Sequence, residues 1–369
     1  MLETRSICAK GVMKMADNNK LQKAKAEKNG EYYTEYSTIS NEMGYYREQL
    51  KGQVVYCNCD DPSWSNFWKY FHSNFASLEL KKLISTHYQK DSEPSYAMIY
   101  EGGDDFNMDA GEIVEITGNE AVVNGKTVFY TAGDFRSEAC LRFLDEATVV
   151  ATNPPFFLFR EYVACLIEHN KRFLIIGNQN ASTTKEIFPL IKDNKIWYGA
   201  SIHSGGVDFR IPDDYEEYSK NVFIRNGHHY INLAGIRWFT NMDVKYRHDG
   251  LWHKNGKFDD TQAHCYYEGN EDYYPKLDNY DAVEVGKTKD IPIDYEGILG
   301  IPISWLDKYS PYEFEIIGLT ASWDESDEMK SLKTSQKKRH NPILNGKEIY
   351  RRIMVRNLHP IKKADDRGY

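Results

Sequence analysis

Asn153-Pro154-Pro155-Phe156 follows directly on the apolar run Val149, Val150 and Ala151. A carboxamide held in a proline-stiffened turn is suited to gripping an aromatic amine. The exocyclic amine of adenine is a poor nucleophile, because its lone pair is delocalised into the ring. An Asn carbonyl and the carbonyl of the next residue can each accept one of its two hydrogens, which fixes the amine and favours a pyramidal nitrogen as a methyl group arrives. Phe156 offers a face to the base: extruding a base from a duplex costs a few kcal/mol, and stacking on an aromatic side chain returns roughly 1 to 3 kcal/mol. The plainer reading makes Asn-Pro a turn former and Phe156 a core ring.

A second constellation is Asn58-Cys59-Asp60-Asp61-Pro62, followed by Ser65, Asn66 and Phe67. Carboxylates at a strand tip suit the cationic sulfonium and amino groups of S-adenosylmethionine, and the start of the next helix can support that molecule's carboxylate. Asp61 also reads as a helix cap. The dinucleotide fingerprint GxGxxG is missing, which argues against a nicotinamide enzyme. A third piece, Gly133-Asp134-Phe135-Arg136-Ser137, lies shortly before the Val149 run. Asp134 there could accept a hydrogen bond from the adenine of the methyl donor with Phe135 packed on the ring, or it could simply cap a helix. His72, His87, His203, His228, His229, His253 and His264 match no metal-ligand spacing. No Ser, His and Asp set stands out.

The elements that must position these residues read as short β-branched runs alternating with aromatic helices, the pattern of a parallel sheet with crossover helices. Val54, Val55 and Tyr56 form a first buried strand. A helix then starts at Asp61 and Pro62 and carries the stripe Trp64, Phe67, Trp68, Phe71, Phe75 and Leu78. Leu83 to Thr86 and Ala97 to Tyr100 are further extended pieces, and Gly102 to Tyr130 reads as an inserted hairpin turning at Asn124 and Gly125. Thr148 to Thr152 is a central strand. Phe157 to Asn170 is an amphipathic helix with Phe159, Val163, Leu166 and Ile167 on its apolar side, and Arg172 to Ile176 is a strand. Both tetrapeptide and acidic motif thus fall at carboxyl ends of strands, where open α/β sheets bind ligands. Past about Asp243 the regularity fades into Tyr, Asp, Gly and Pro, which suggests three parts: a basic segment 1–30, a catalytic domain 31–243 and a region 244–369.

The net charge of −9 counts against nucleic acid until its distribution is followed. From Lys333 onward there are eleven Lys and Arg against three acids, a local +8 that leaves −17 on the rest. Lys10, Lys14, Lys20, Lys23, Lys25 and Lys28 form a second basic stretch. Basic ends on an acidic body suit phosphate contacts at chosen places, and equally suit solvated tails. Lys337, Lys338 and Arg339 make the densest basic run and are the expected phosphate contact. Cys8, Cys57, Cys59, Cys140, Cys165 and Cys265 have no CxxC spacing, so neither a disulfide framework nor structural zinc is favoured, and the Cys57 and Cys59 pair reads as buried strand. No membrane span or signal peptide is read, and a cytoplasmic chain is expected.

The loop Asn153 to Phe156 is similar to the catalytic motif of amino methyltransferases. Tyr32-Tyr33-Thr34-Glu35 and Val54 to Phe67 resemble the EcoRI-type adenine-specific DNA methyltransferases. The likeness continues through Lys171 to Asn178, Gly235 to Asn241, Asp294 to Pro302 and Phe314 to Gly318, from about residue 30 to beyond 350. It implies an α/β fold, with a Rossmann-like class I methyltransferase sheet and a C-terminal α+β target-recognition region. It also implies S-adenosylmethionine as methyl donor and double-stranded DNA as partner, with adenine N6 as acceptor, and a monomer needing neither metal nor membrane. Carried over by position, Asn153, Pro154, Pro155 and Phe156 hold the target adenine. Asn58, Asp60, Asp61, Pro62, Asn66, Phe67, Asp134 and Phe135 line the donor site, and Tyr33 and Thr34 close over it. The family's Asp-Asp-Pro form stands in place of a glycine-rich loop. The resemblance further suggests the modification enzyme of a restriction–modification system, or an orphan or phage methylase, with an AT-containing palindrome such as GAATTC as a first guess for the site.

Competing readings are an amino methyltransferase acting on RNA adenine or protein glutamine, and a catalytically silent DNA-binding relative. Phe156, where the glutamine enzymes carry Tyr, and the long region after residue 243 favour a nucleic acid. The intact Asn153 to Phe156 loop favours turnover.

Overall fold

The computed structural model describes residues 32–88, 94–212, 221–254, 257–258, 264–334 and 340–362. The basic segment 1–30 and the cluster Lys337, Lys338 and Arg339 lie outside the described residues. The chain divides into two compact units, one running to Ala181 with Gly199–Met242, the other comprising Ser182–Tyr198 with the residues from Asp243 onward.

In the first unit a short strand β1 (Tyr33–Thr34) leads into helix α1 (Tyr36–Met43). The main sheet is then built from β2 (Val54–Cys57), β3 (Lys82–Thr86), β4 (Ser95–Tyr100), β5 (Glu112–Ile116), β8 (Val149–Thr152), β9 (Arg172–Asn178) and β13 (Ile236–Thr240). Their spatial order is β13, β9, β8, β2, β3, β4, β5. The four central strands β9, β8, β2 and β3 are parallel. Their apolar runs are covered on both faces, as parallel strands require: Val55, Tyr56, Val149, Val150, Ala151 and Phe173 to Ile176 are fully buried. Crossover helices α2 (Asn66–Ser73) and α4 (Phe159–Glu168) join β2 to β3 and β8 to β9.

Three local expectations change. The helix after β2 starts at Asn66, not at Asp61. Ser65 is its cap, with its hydroxyl accepting from the Phe67 N–H, while the Asp61 carboxylate is already committed to the Ser63 N–H at 2.9 Å. Trp64 therefore precedes the helix, and Phe75 and Leu78 follow it in buried turns. Secondly, β4 runs antiparallel to β3, since the stretch between Thr86 and Ser95 is too short for a crossover. Thirdly, β5 joins the main sheet beside β4, so the separate hairpin comprises only β6 (Asn119–Val123) and β7 (Lys126–Tyr130). Its turn is Asn124 and Gly125, at φ of 50° and 75°, the two left-handed residues of a tight hairpin turn. Cys59 lies in the turn beyond β2, while Cys57 is in the buried strand.

A second sheet of the same unit orders β1, β10 (Gly206–Arg210), β12 (His228–Ala234) and β11 (Val222–Arg225), all antiparallel. Its register sets Thr34 opposite Phe209. Helix α1 is tied to the chain entering this sheet by Glu42, fully buried, whose carboxylate accepts the N–H groups of Ala200 and Ser201 at 2.7 Å each. Burial raises the Glu42 pKa, against the opposing pull of those hydrogen bonds.

The second unit is also mixed. Its sheet orders β14 (Val283–Glu284), β15 (Ile298–Ile301), β17 (Ile353–Asn357) and β16 (Phe314–Leu319). Leu277, Tyr280, Ala282, Ile317, Met329 and Met354 pack as a core cluster. The buried Glu313 carboxylate accepts the Trp252 and His253 N–H groups at 2.8 and 2.9 Å. Among the described residues no helix is long and apolar enough to cross a membrane, and no group of three or more His, Cys, Asp or Glu is placed to hold a metal ion.

Candidate active site

The chain leaves β2 for β3, β4 and β5 on one side of the sheet, then returns to β8 and β9 on the other. The carboxyl ends of β2 and β8 are neighbours where the direction of winding reverses, the crevice in which open α/β sheets bind ligands. Asn58 to Pro62 leaves the first tip and Asn153 to Phe156 the second.

Asn153 is half-buried. Its Nδ2 donates to the Tyr32 carbonyl at 2.7 Å, and its Oδ1 is buried with no hydrogen-bond partner. An unsatisfied buried acceptor costs roughly 1 to 3 kcal/mol. Such an atom marks a place where a donor is missing. Pro154 is buried and Pro155 half-buried in the turn that follows. Phe156 is half-buried and stacks on Tyr32 at 5.9 Å between centroids and 27° between planes. Phe209, fully buried, meets Phe156 edge-on at 6.4 Å and Tyr32 at 5.9 Å. Tyr32 and Phe209 escape sequence reasoning because they reach Phe156 only through the pairing of β1 with β10.

The two consecutive carboxylates face different ways. Asp60 is buried: Oδ1 accepts from the Ser65 hydroxyl at 2.9 Å and Oδ2 accepts from the Thr152 hydroxyl. Burial lifts its pKa to about 6 against the opposing pull of these two hydroxyls and of the Asn153 backbone. Asp61 instead accepts from the Ser63 N–H and hydroxyl and from the Tyr96 hydroxyl at 2.9 Å, and its other oxygen lies 3.5 Å from His87 Nε2. Asn58 is buried, its Oδ1 accepting from the Tyr162 hydroxyl. Pro62 is buried.

Over the β2 tip, Asn66 Nδ2 donates to the Thr34 carbonyl at 2.7 Å, which ties β1 to the start of α2. The Thr34 hydroxyl is a second buried oxygen with no partner. The Tyr33 ring lies 4.2 Å from that of Trp64. Phe67 turns away from this surface into the core, edge-on to Trp238, because it lies on the inner face of α2.

Asp134 is bidentate on Arg136, with Oδ1 to Nε at 2.9 Å and Oδ2 to Nη2 at 2.7 Å, and Oδ1 also accepts the Arg136 N–H. It caps a turn; the cap of the following helix α3 (Glu138–Glu146) is Ser137. Burial alone would lower the Arg136 pKa, and the Asp134 contact outweighs it to raise it. Phe135 is buried edge-on against Tyr162 at 5.0 Å, so its ring is part of the core. Gly133 is required for this turn: its φ is +82°, and a Cβ would stand 2.1 Å from the His87 carbonyl oxygen.

The chain is 42% identical over 345 residues to the type II methyltransferase M.EcoRI of Escherichia coli, covering 93% of this chain and 97% of that one. It is 35% identical over 341 residues to the type II methyltransferase M.MgeORF184P of Mycoplasma genitalium, and 34% identical over 343 residues to M.MpnI of Mycoplasma pneumoniae. Each of these alignments covers 90% of this chain and 97% of the relative. No solved structure matches significantly. The family model described as adenine-specific methyltransferase EcoRI matches residues 20–358, and with these relatives it shows that the chain belongs to that family.

Proposed function

We propose that this protein is a site-specific DNA adenine-N6 methyltransferase of a restriction–modification system, using a Rossmann-like class I sheet to bring S-adenosylmethionine to an adenine everted from duplex DNA. The observation that carries the reading is the buried, unpartnered Oδ1 of Asn153 beside the aromatic group Tyr32, Phe156 and Phe209. A planar amine entering there satisfies Oδ1 with one N–H, and the Pro154 carbonyl is assigned the other. Phe156 and Tyr32 give the base its stacking surface, worth roughly 1 to 3 kcal/mol, which offsets most of the extrusion cost.

The residues at the β2 tip fit the methyl donor by their chemistry. The Thr34 hydroxyl is a buried polar atom awaiting a partner, and Asp61 supplies negative charge for a cationic ligand. Tyr33, Asn66 and Pro62 shape the same surface, and Asp134 with Arg136 is assigned to the donor's adenine end. Asn58, Phe67 and Phe135 support this surface from behind, through buried contacts. When bound, S-adenosylmethionine supplies a methyl group on a positively charged sulfur, open to attack by a nitrogen lone pair. The protein's own part is to hold that nitrogen still, strip water from it and orient its two hydrogens towards Asn153 and Pro154; once the nitrogen carries the methyl and the sulfur is left as a neutral thioether, one of those hydrogens would leave as a proton to solvent. The region 244–369 is assigned to target recognition.

Radiolabelled methyl transfer to duplex DNA, with Asn153→Ala as control, tests the reading. Label is expected on adenine N6 in DNA, and is expected to appear at least about 100-fold more slowly with the variant. Label found only in RNA or protein would eliminate it.

A further inference from the structure

Asp60 is drawn towards a cofactor role by its position at a strand tip, yet its carboxylate is not offered to any ligand. Its side chain is buried, and its two oxygens are occupied by the Thr152 hydroxyl and the Ser65 hydroxyl. Thr152 closes the arrangement by accepting the Cys59 N–H at 3.2 Å while donating to Asp60. The Ser85 hydroxyl donates to the Asp60 carbonyl, which brings in the end of β3. Three parallel strand ends and the cap of α2 thus meet at one residue. One of the two hydroxyls that donate to its carboxylate belongs to Thr152, the residue immediately before Asn153.

We propose that Asp60 is a positioning residue for Asn153: its carboxylate fixes the end of β8, so that the Asn153 side chain can aim Oδ1 at the amine. Two anchors are needed, because the Tyr32 carbonyl holds only the far end of the amide while the backbone could still swing. A displacement of about 1 Å at a reacting centre costs on the order of 100-fold in rate. This division separates the adjacent acids, Asp60 serving the catalytic loop and Asp61 the outer surface. The inference rests on the functional reading above.

The test uses the full chain, a duplex carrying the target site, and S-adenosylmethionine. Thr152→Val removes the hydroxyl at nearly constant volume, and Thr152→Ser restores it. Single-turnover methyl transfer at saturating methyl donor is expected to fall about 10- to 100-fold in Thr152→Val, with the equilibrium Kd for S-adenosylmethionine within about threefold of wild type and most of the rate recovered in Thr152→Ser. A wild-type rate in Thr152→Val, a loss reversed by more methyl donor, or no rescue by Ser would overturn it. If Thr152→Val does not fold, Asp60→Asn is read by the same measurements. Hydrogen exchange across 149–158 gives a readout independent of activity. Exchange is expected to quicken in Thr152→Val and Asp60→Asn but not in Thr152→Ser, and unchanged exchange overturns the clamp even if wild type proves inactive on DNA, an outcome that would separately defeat the functional reading.

Discussion

The side-chain amide of Asn153 donates to the Tyr32 carbonyl at 2.7 Å, and that bond decides which end of the amide is left over. A carbonyl can receive only the NH2, so Oδ1 must face the other way, where it is buried and unpartnered. The site is therefore set for an N–H donor before any substrate arrives.

Asn153→Ala is expected to lower the single-turnover rate about 10²- to 10³-fold, the usual loss for one preorganised hydrogen-bonding group, with little change in methyl-donor affinity. Asn153→Asp should also be poor, because one of its oxygens must then face the Tyr32 carbonyl. Rapid-quench kinetics on duplex DNA check both. A rate within threefold of wild type for the alanine variant would remove Asn153 from the chemistry.

The aromatic group makes a separate demand. Tyr32→Ala and Phe156→Ala are each expected to weaken retention of the everted base by about 1 to 3 kcal/mol, or roughly 5- to 150-fold. Fluorescence of 2-aminopurine at the target position should rise on binding wild type and rise much less with either variant. Equal signals from all three proteins would mean that the rings hold the fold and not the base. Phe209 is better probed as Leu, since truncating a fully buried Phe to Ala costs about 3 to 5 kcal/mol of stability by itself.

What was legible in the sequence follows the range of the interactions. Val54 to Cys57 and Val149 to Thr152 announce themselves as buried strands because local pattern alone makes them so. Asn124 and Gly125 announce a hairpin because only such residues take two left-handed conformations in succession. The antiparallel course of β4 is carried by the short connection from Thr86 to Ser95 and not by the composition of the strand itself. Thr34 meeting Phe209 was hidden, because register between strands so far apart in sequence leaves no local mark. Asp134 reads in the sequence as a helix cap, whereas the cap is Ser137, and its capture by Arg136 was not legible, as a residue two positions on faces it only once the turn has formed.

The Asp60 carboxyl, lifted by burial to about 6, stands well above the roughly 3.9 of an unfolded Asp. A raised acid means that the native state binds this proton more tightly than the unfolded chain. Its contribution to stability is thus fully present below about pH 3.9 and is lost as pH rises through about 6. Two units of difference amount to about 3 kcal/mol. The unfolding free energy of wild type minus that of Asp60→Asn should be larger at about pH 4 than at about pH 7 by that amount. Urea titrations across this window measure it, and Glu42, also raised by burial, is common to both proteins and cancels. A difference flat with pH would show that Asp60 does not titrate there.

The basic run Lys337, Lys338 and Arg339 bears on how a chain of net charge −9 holds a polyanion at all. With −17 before Lys333, DNA affinity must come from few, well-placed cations, and each phosphate contact released from counterions contributes about −0.9 to the slope of log K against log salt. Changing all three to Gln should therefore make that slope shallower by about 2.7 if every one of them touches phosphate, and by about 0.9 less for each that does not. Affinity should fall alike for specific and non-specific duplexes, since phosphate contacts carry no sequence. A loss confined to the cognate site would move these residues to base recognition, and an unaltered slope would remove them from the interface.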